Sequence, residues 1–266
     1  MMRGVTWGQT VADAIWTWRS GDGFTPTPPP FIGGTNVGEW RPTPPANLSG
    51  AAPQFATMMP WAIQSPAEFR PAGPPALDSA LYAQVLNETK DMGSATSATR
   101  TADETLLSQF WNSSKVTYFW NRVALALIAE PHRHSLLTNA RLLAQVNIAL
   151  ADAAIACWDG KYTYVFWRPI TAIPLADTDG NADTDPDPAW TPLLVTPNHP
   201  EYPSGHSTTS SAAAAVLAAH FGNHTSFTVD SDKMPGVTRS FTSFRLPRGN
   251  CRCPCFWRHS FPHRLR

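Results

Sequence analysis

The stretch "SLLTNARLLAQVNIALADAAIACWDG", residues 135–160, limits the fold more than any other part of the chain. Leu, Ala, Ile and Val recur there every three to four residues, with no proline or glycine before Gly160, so the spacing predicts one long helix. Ser135 suits its N-cap and Gly160 its stop. A helix this apolar must be covered on most sides, and only other helices or a sheet can cover it.

The rest of the chain offers helices. Residues 4–20 read as an amphipathic helix ending at "SGDG", and Leu77 to about Lys90 as a second. "DETLLSQFWNSS" and "VTYFWNRVALALIAE" make one or two more, stopped by Pro131, and "GHSTTSSAAAAVLAAHFG" is a helix closed by Gly222. Between them lie a proline-rich arm at 24–76, expected to wrap the surface of the helices, and an Asp- and Pro-rich loop at 174–203. Strand signals are few and repeats absent. The expected fold class is all-α, a helical bundle with long Pro-rich loops.

Composition narrows the function classes. The 266 residues carry no formal net charge and only 15% charged side chains, so no nucleic-acid or acidic-membrane partner is expected. No run of about 18 apolar residues occurs, which predicts no membrane span. Asp13 interrupts the first apolar segment, so no signal peptide is visible; a globular helix beginning almost at Met1 suggests further sequence upstream. Most of the eleven Trp stand beside apolar residues and read as core. Cys157, alone in an apolar helix, reads as packing.

Two stretches carry chemistry. In "KYTYVFWRP", Lys161 and Arg168 stand seven residues apart, and a helix would put both cations on one face, although Pro169 distorts helices. They are either solvated surface charges or, given the bulky residues between them, turned toward a partly buried anion. In "HPEYPSGH", Pro203 precedes Ser204 and Gly205 at the mouth of a helix. Unpaired N–H groups of a first helical turn favour a phosphate-like group, Gly205 permits close backbone approach, and Ser204 adds a hydroxyl. His206 has the chemistry to exchange a proton with a bound oxygen. The plainer alternative is an ordinary serine cap with an incidental histidine.

Together, Lys-x6-Arg-Pro followed by Pro-Ser-Gly-His resembles the first two motifs of the vanadium-dependent haloperoxidase and type 2 phosphatidic acid phosphatase superfamily. "GEWRPTPP", "SATSATRTADET" and the residues around both motifs are similar to its bacterial haloperoxidase-like branch, over roughly residues 4–244. The resemblance implies a soluble all-α domain over 1–244, incomplete at both ends, related to a four-helix bundle. It implies vanadate or phosphate held by Lys161, Arg168, Ser204 and the Gly205 amide, with His206 as acid/base. The small-molecule partners it implies are hydrogen peroxide and a halide, which bound vanadate would oxidise, or a phosphate ester. His199 stands where bromoperoxidases carry His and chloroperoxidases Phe, a lean toward bromide. Relatives are often exported.

The family's third motif, an Arg followed six residues later by the His that bonds vanadium, is missing after "RSFTSF". Residues 245–266 are instead basic and cysteine-rich. Three readings compete for this tail: a metal site from Cys251, Cys253, Cys255, His259 and His263; a basic partner-binding segment; or the third motif translated out of frame. Joining the last two bases of each codon to the first of the next permits Arg-Val-Phe-Gly-Gly-Ile-His-Phe, with the glycine from Trp257 and Arg258 forced. That favours a frameshift after Phe244, and with it the loss of tight vanadate binding or an inactive product.

Overall fold

The computed structural model describes residues 2–129 and 135–244. The tail at 245–266, with Cys251, Cys253, Cys255, His259 and His263, lies outside the described residues, as does Pro131. Among the described residues the chain forms seven α-helices and one two-stranded hairpin: α1 (Met2–Arg19), α2 (Ala80–Gly93), α3 (Ala102–Asn112), α4 (Val116–Ile128), α5 (Leu136–Tyr164), α6 (Pro169–Ala172), α7 (Gly205–Phe221), β1 (Phe227–Asp230) and β2 (Thr238–Phe241). The all-α expectation holds. The hairpin is the exception: β1 and β2 pair antiparallel with Phe227 opposite Phe241. Four residues per strand leave too short an alternation to read in advance.

Local chemistry sets the helix ends. Ser135 Oγ accepts the Thr138 N–H at 3.2 Å, as its N-cap placement requires. Thr101 and Glu104 form a reciprocal capping box that starts α3. Gly222, at φ 95, closes α7. Gly160 was expected to end α5, yet the helix runs four residues further and the glycine lies inside it.

The principal core joins α3, α4, α5, α7 and the hairpin. Phe110, Phe119, Val123, Leu142, Val146, Leu150 and Leu217 are buried in it, and the Phe227 ring stacks on Phe241 and Phe244 at 5.0 Å each. A second cluster of Tyr82, Leu86, Trp167, Ile173 and Trp190 packs α2 against α6. By length and mean hydropathy α5 qualifies to cross a membrane. Its apolar residues Leu142, Val146 and Leu150 are instead covered by protein, and its charged residues Asp152, Asp159 and Lys161 are buried too.

Residues of the arm at 24–76 bond to α5 at several points. Tyr162 Oη and Trp158 Nε1 both donate to the Ala51 carbonyl, at 2.7 and 2.9 Å. Asp152 accepts the backbone N–H groups of Trp61, Ala62 and Ile63 at 2.6, 2.7 and 3.1 Å. Two turns along, Asp159 takes a two-pronged bond from Arg70, 2.6 Å on each side. Trp40, Trp111, Trp120, Trp167 and Trp190 are buried as expected, and helix α1 is the exception. Trp7, Trp16 and Trp18 are all exposed, and only the last turn docks, where Arg19 donates to the Pro60 carbonyl and lies over the Trp61 ring.

Candidate functional site

Helix α5 ends in a way that places both cations. Val165 adopts φ 48, ψ 36, a left-handed conformation unusual for a β-branched residue. Its N–H closes the last turn on the Lys161 carbonyl, while its own carbonyl accepts the Trp40 N–H at 2.7 Å. Phe166 then bridges Glu39, and the Trp167 N–H reaches the Gly38 carbonyl. The arm therefore pulls residues 165–167 out of the helix. The single-face helical geometry expected for Lys161 and Arg168 is replaced by a kink, because Arg168 caps a new helix at Pro169.

The kink brings the cations together rather than apart. Lys161 is 1% exposed and donates to the Pro200 and Glu201 carbonyls at 2.6 and 2.9 Å. Arg168, 3% exposed, donates from Nε to the His199 carbonyl at 2.7 Å. Its Nη2 meets His199 Nδ1 at 2.8 Å, and its Nη1 is paired with the Glu201 carboxylate. Neither cation is a solvated surface charge. Burial, opposed by the attraction of Glu201 and reinforced by repulsion from Arg168, pulls the Lys161 ammonium down to about 8.

The opening stretch closes on them from the other side. Ser204 caps α7, its Oγ accepting the Ser207 N–H at 3.3 Å. Gly205 lies against the Trp158 ring, and His199 faces the same ring at 5.1 Å between centroids. Close approach is also required one helix away. A Cβ on Gly160 would stand 2.8 Å from Pro203 Cδ, so α5 meets this segment only because residue 160 has no side chain. Gly160→Ala, despite alanine's better helix propensity, is expected to destabilise the fold by about 1–2 kcal/mol, read as a lower urea midpoint. An unchanged midpoint would show that Pro203 moves freely.

His206 shares the field of both cations. Burial pushes its imidazole down to about 4, helped by Lys161 and Arg168 and opposed by hydrogen bonding to the Trp111 backbone. Burial first, then the same two cations, holds His199 well below its ordinary value. Both rings are therefore neutral at pH 7, where they accept or relay protons. The unfolded chain takes up these protons near pH 6.5 and the folded chain does not, so stability is complete above pH 6.5 and falls as pH drops toward 4. Urea midpoints at pH 7.5 and 5 should show this fall, and His206→Gln should flatten it. A midpoint equal at both pH values would contradict the burial of these rings.

All six residues singled out in the sequence, Lys161, Arg168, His199, Ser204, Gly205 and His206, thus fall in one region. Sequence reasoning missed Glu201, which lies inside the quoted motif and binds Arg168. It also missed Asp152 and Asp159, whose seven-residue spacing on one helix face was the available signal.

A family model described as the VCPO second helical-bundle domain matches residues 141–251, which include every one of these residues except the arm. Vanadium chloroperoxidase of Curvularia inaequalis is 34% identical over 92 residues, 31% of this chain and 14% of that protein. Among solved structures, the first bacterial vanadium-dependent iodoperoxidase matches with a TM-score of 0.74 at 32% identity, covering 90% of this chain and 59% of that one. An apo-type bacterial vanadium-dependent chloroperoxidase shares the fold, with a TM-score of 0.58 at 16% identity over 79% of this chain and 54% of that one. This chain therefore spans little more than half of those structures and a small part of the fungal enzyme. The sequence motifs, the helical fold and these matches agree in making this chain similar to the vanadium-dependent haloperoxidases.

Proposed function

We propose that Lys161, Arg168, Ser204, Gly205 and His206 form the oxyanion seat of a vanadate-dependent haloperoxidase-like protein. The observation that carries this reading is a buried excess of positive charge. Lys161 and Arg168 face one carboxylate, Glu201, and have more N–H groups than the acceptors they meet among the described residues. Such an arrangement suits a tetrahedral or five-coordinate oxyanion, whose oxygens would take up the surplus donors. The donor set fits vanadate at its oxygens. The histidine expected to bond vanadium itself belongs to the third motif, which is missing from the sequence after Phe244.

When bound, vanadate supplies the electrophilic centre on which peroxide is activated toward a halide. The chain's own residues have narrower roles. The two cations hold the anion's oxygens and offset their charge in a water-poor setting. Ser204 and the Gly205 amide fix its orientation at the head of α7. Neutral His206 accepts a proton from an incoming hydroxyl or peroxide group and returns it to a leaving oxygen. His199, pressed on Arg168, would set how a halide approaches, with bromide favoured.

The test is oxidation of chloride, bromide or iodide by peroxide with added vanadate, followed with a halogen-accepting dye. Vanadate-dependent dye halogenation supports the proposal. The phosphatase reading uses the same donors, so p-nitrophenyl phosphate without vanadate is the second arm, and dominant hydrolysis there would reverse the order. Saturable anion binding without turnover in either arm would fit a chain that keeps the seat and has lost the third motif.

A further inference from the structure

Helix α1 keeps an apolar side that, ahead of its last turn, is exposed among the described residues. Trp7, Val11, Ile15 and Trp18 share one face of the helix, and Gly4, Gly8 and Ala12 form a row of small residues beside them. Thr6, Gln9, Asp13 and Thr17 occupy the opposite side. Trp7, Trp16 and Trp18 are 69, 78 and 52% exposed, and Val5, Val11 and Ile15 are open as well. At roughly 200 Å² for a whole tryptophan, α1 leaves about 600 Å² of apolar side chain to solvent, the upper end of what a monomer tolerates.

This face runs into the body of the chain. At its lower end the Trp18 ring meets Trp61 edge-on, 5.4 Å between centroids, and Arg19 lies over the same Trp61 ring. The apolar face and the body thus make an inside corner. Among the described residues, nothing stands within 4 Å of where a Cβ on Gly4 or Gly8 would lie. The row of small residues is therefore open to close approach by another helix.

Charge and shape decide what covers it. Arg3 and Asp13 are the charged side chains of α1 ahead of Arg19, so the polar side lacks the lysines and arginines with which interfacial helices hold an anionic lipid surface. The body at Trp61 would also keep a flat bilayer off the last turns. A second α1 meets neither obstacle. It offers valine, isoleucine and tryptophan to the other helix's glycines and receives the same in return, the self-complementarity that a two-fold interface requires. Two copies joined in this way would bury up to about 1,200 Å², the lower edge of specific interfaces.

We propose that the apolar face of α1 is a self-association surface, covered by α1 of a second copy of this chain, with Val11 and Ile15 of each helix against the small residues of the other. The two helices run antiparallel. In a parallel pair both bodies would crowd the same corner at Trp61, whereas antiparallel packing places each body beside the partner's first turns. The inference stands on α1 and does not depend on the haloperoxidase reading.

The experiment is analytical ultracentrifugation of the full chain over about 1–200 µM, a range that brackets the weak dimers expected of an interface this small. A reductant keeps the cysteines of the tail from linking copies. Expected is a reversible monomer–dimer equilibrium with a dissociation constant on the order of micromolar. Trp7→Ser removes a central aromatic anchor and should weaken the dimer at least about 30-fold. Gly8→Leu suits an isolated helix better than glycine does, yet should weaken the dimer at least about 10-fold by filling the close approach. Both positions are open in the monomer, so the urea midpoint measured below the dimer range should fall in neither variant. A chain that stays monomeric throughout, or a dimer indifferent to both substitutions, would overturn the proposal. A monomer that binds phosphatidylcholine vesicles and loses that binding in Trp7→Ser would give the face to lipid and equally overturn it.

Discussion

Arg168→Ala is expected to lower oxyanion affinity by about 100-fold while leaving the chain folded. The guanidinium is 3% exposed and is the branch point of the site, joined to the His199 carbonyl, the His199 ring and the Glu201 carboxylate. Charge-assisted hydrogen bonds contribute about 1.5–3 kcal/mol each when both partners are held in place, and 100-fold corresponds to about 2.7 kcal/mol. Losing one partner of a fully buried ion pair would cost more in stability. Here Glu201 is 28% exposed and retains access to water, so the fold should lose less than the ligand does. Arg168→Lys keeps the charge without the fork and should cost about 10-fold. The readout is vanadate or phosphate titration of each variant, alongside its urea midpoint. Equal affinity in Arg168→Ala and the parent chain would mean that this guanidinium serves Glu201 alone.

Asp152→Ala is expected to destabilise the fold by about 3 kcal/mol and to loosen the arm. One buried carboxylate accepts three consecutive backbone N–H groups, from Trp61, Ala62 and Ile63, none of which has another acceptor among the described residues. Removing it strips the bonds and leaves donors behind, which costs more than the bonds themselves contributed. Asp152→Asn keeps one carbonyl oxygen and should recover part of the loss. Hydrogen exchange supplies a second readout. Amides of 61–63 should lose protection in Asp152→Ala, while those of Leu142 to Leu150 in the same helix keep theirs. If the arm amides stay protected, some other contact fixes the arm.

The arm matters to function because it shapes the end of α5. Backbone pairing of Gly38–Trp40 with residues 165–167 ends the helix and turns Arg168 toward Lys161. This is where the sequence was least legible. The residue types and the two stretches pointed to the right region, because cations amid bulky residues and a Pro-Ser-Gly-His helix entry are local signals. The geometry came from a partner more than a hundred positions upstream in an irregular segment, and no periodicity reports such a pairing. A straight two-turn helix was the natural expectation for a seven-residue spacing, and Val165 in a left-handed conformation is the correction.

Legibility elsewhere follows the same division. Ser135 and Ser204 by their hydroxyls, and Gly222 by its freedom at positive φ, act at the helix ends where the sequence placed them, since capping is decided within a few residues. Gly160 misled because a glycine inside a helix looks like a stop until the neighbour that needs its missing side chain, Pro203, is in view. The exposed tryptophans of α1 show the converse: apolar periodicity marks a face but not what covers it. Glu201 was hidden by its setting in a motif whose other members drew the attention, and its role depends on Arg168 arriving from another segment.

The direct test of the central claim is equilibrium vanadate binding to the full chain, followed by calorimetry from pH 6.5 to 9.5, with Lys161→Met beside it. The account predicts one phosphate-competed site per chain, affinity that weakens above about pH 8 as the buried ammonium loses its proton, and no measurable site in a folded Lys161→Met. Vanadate binding that is indifferent to Lys161, or a folded chain that binds neither vanadate nor phosphate, would contradict it.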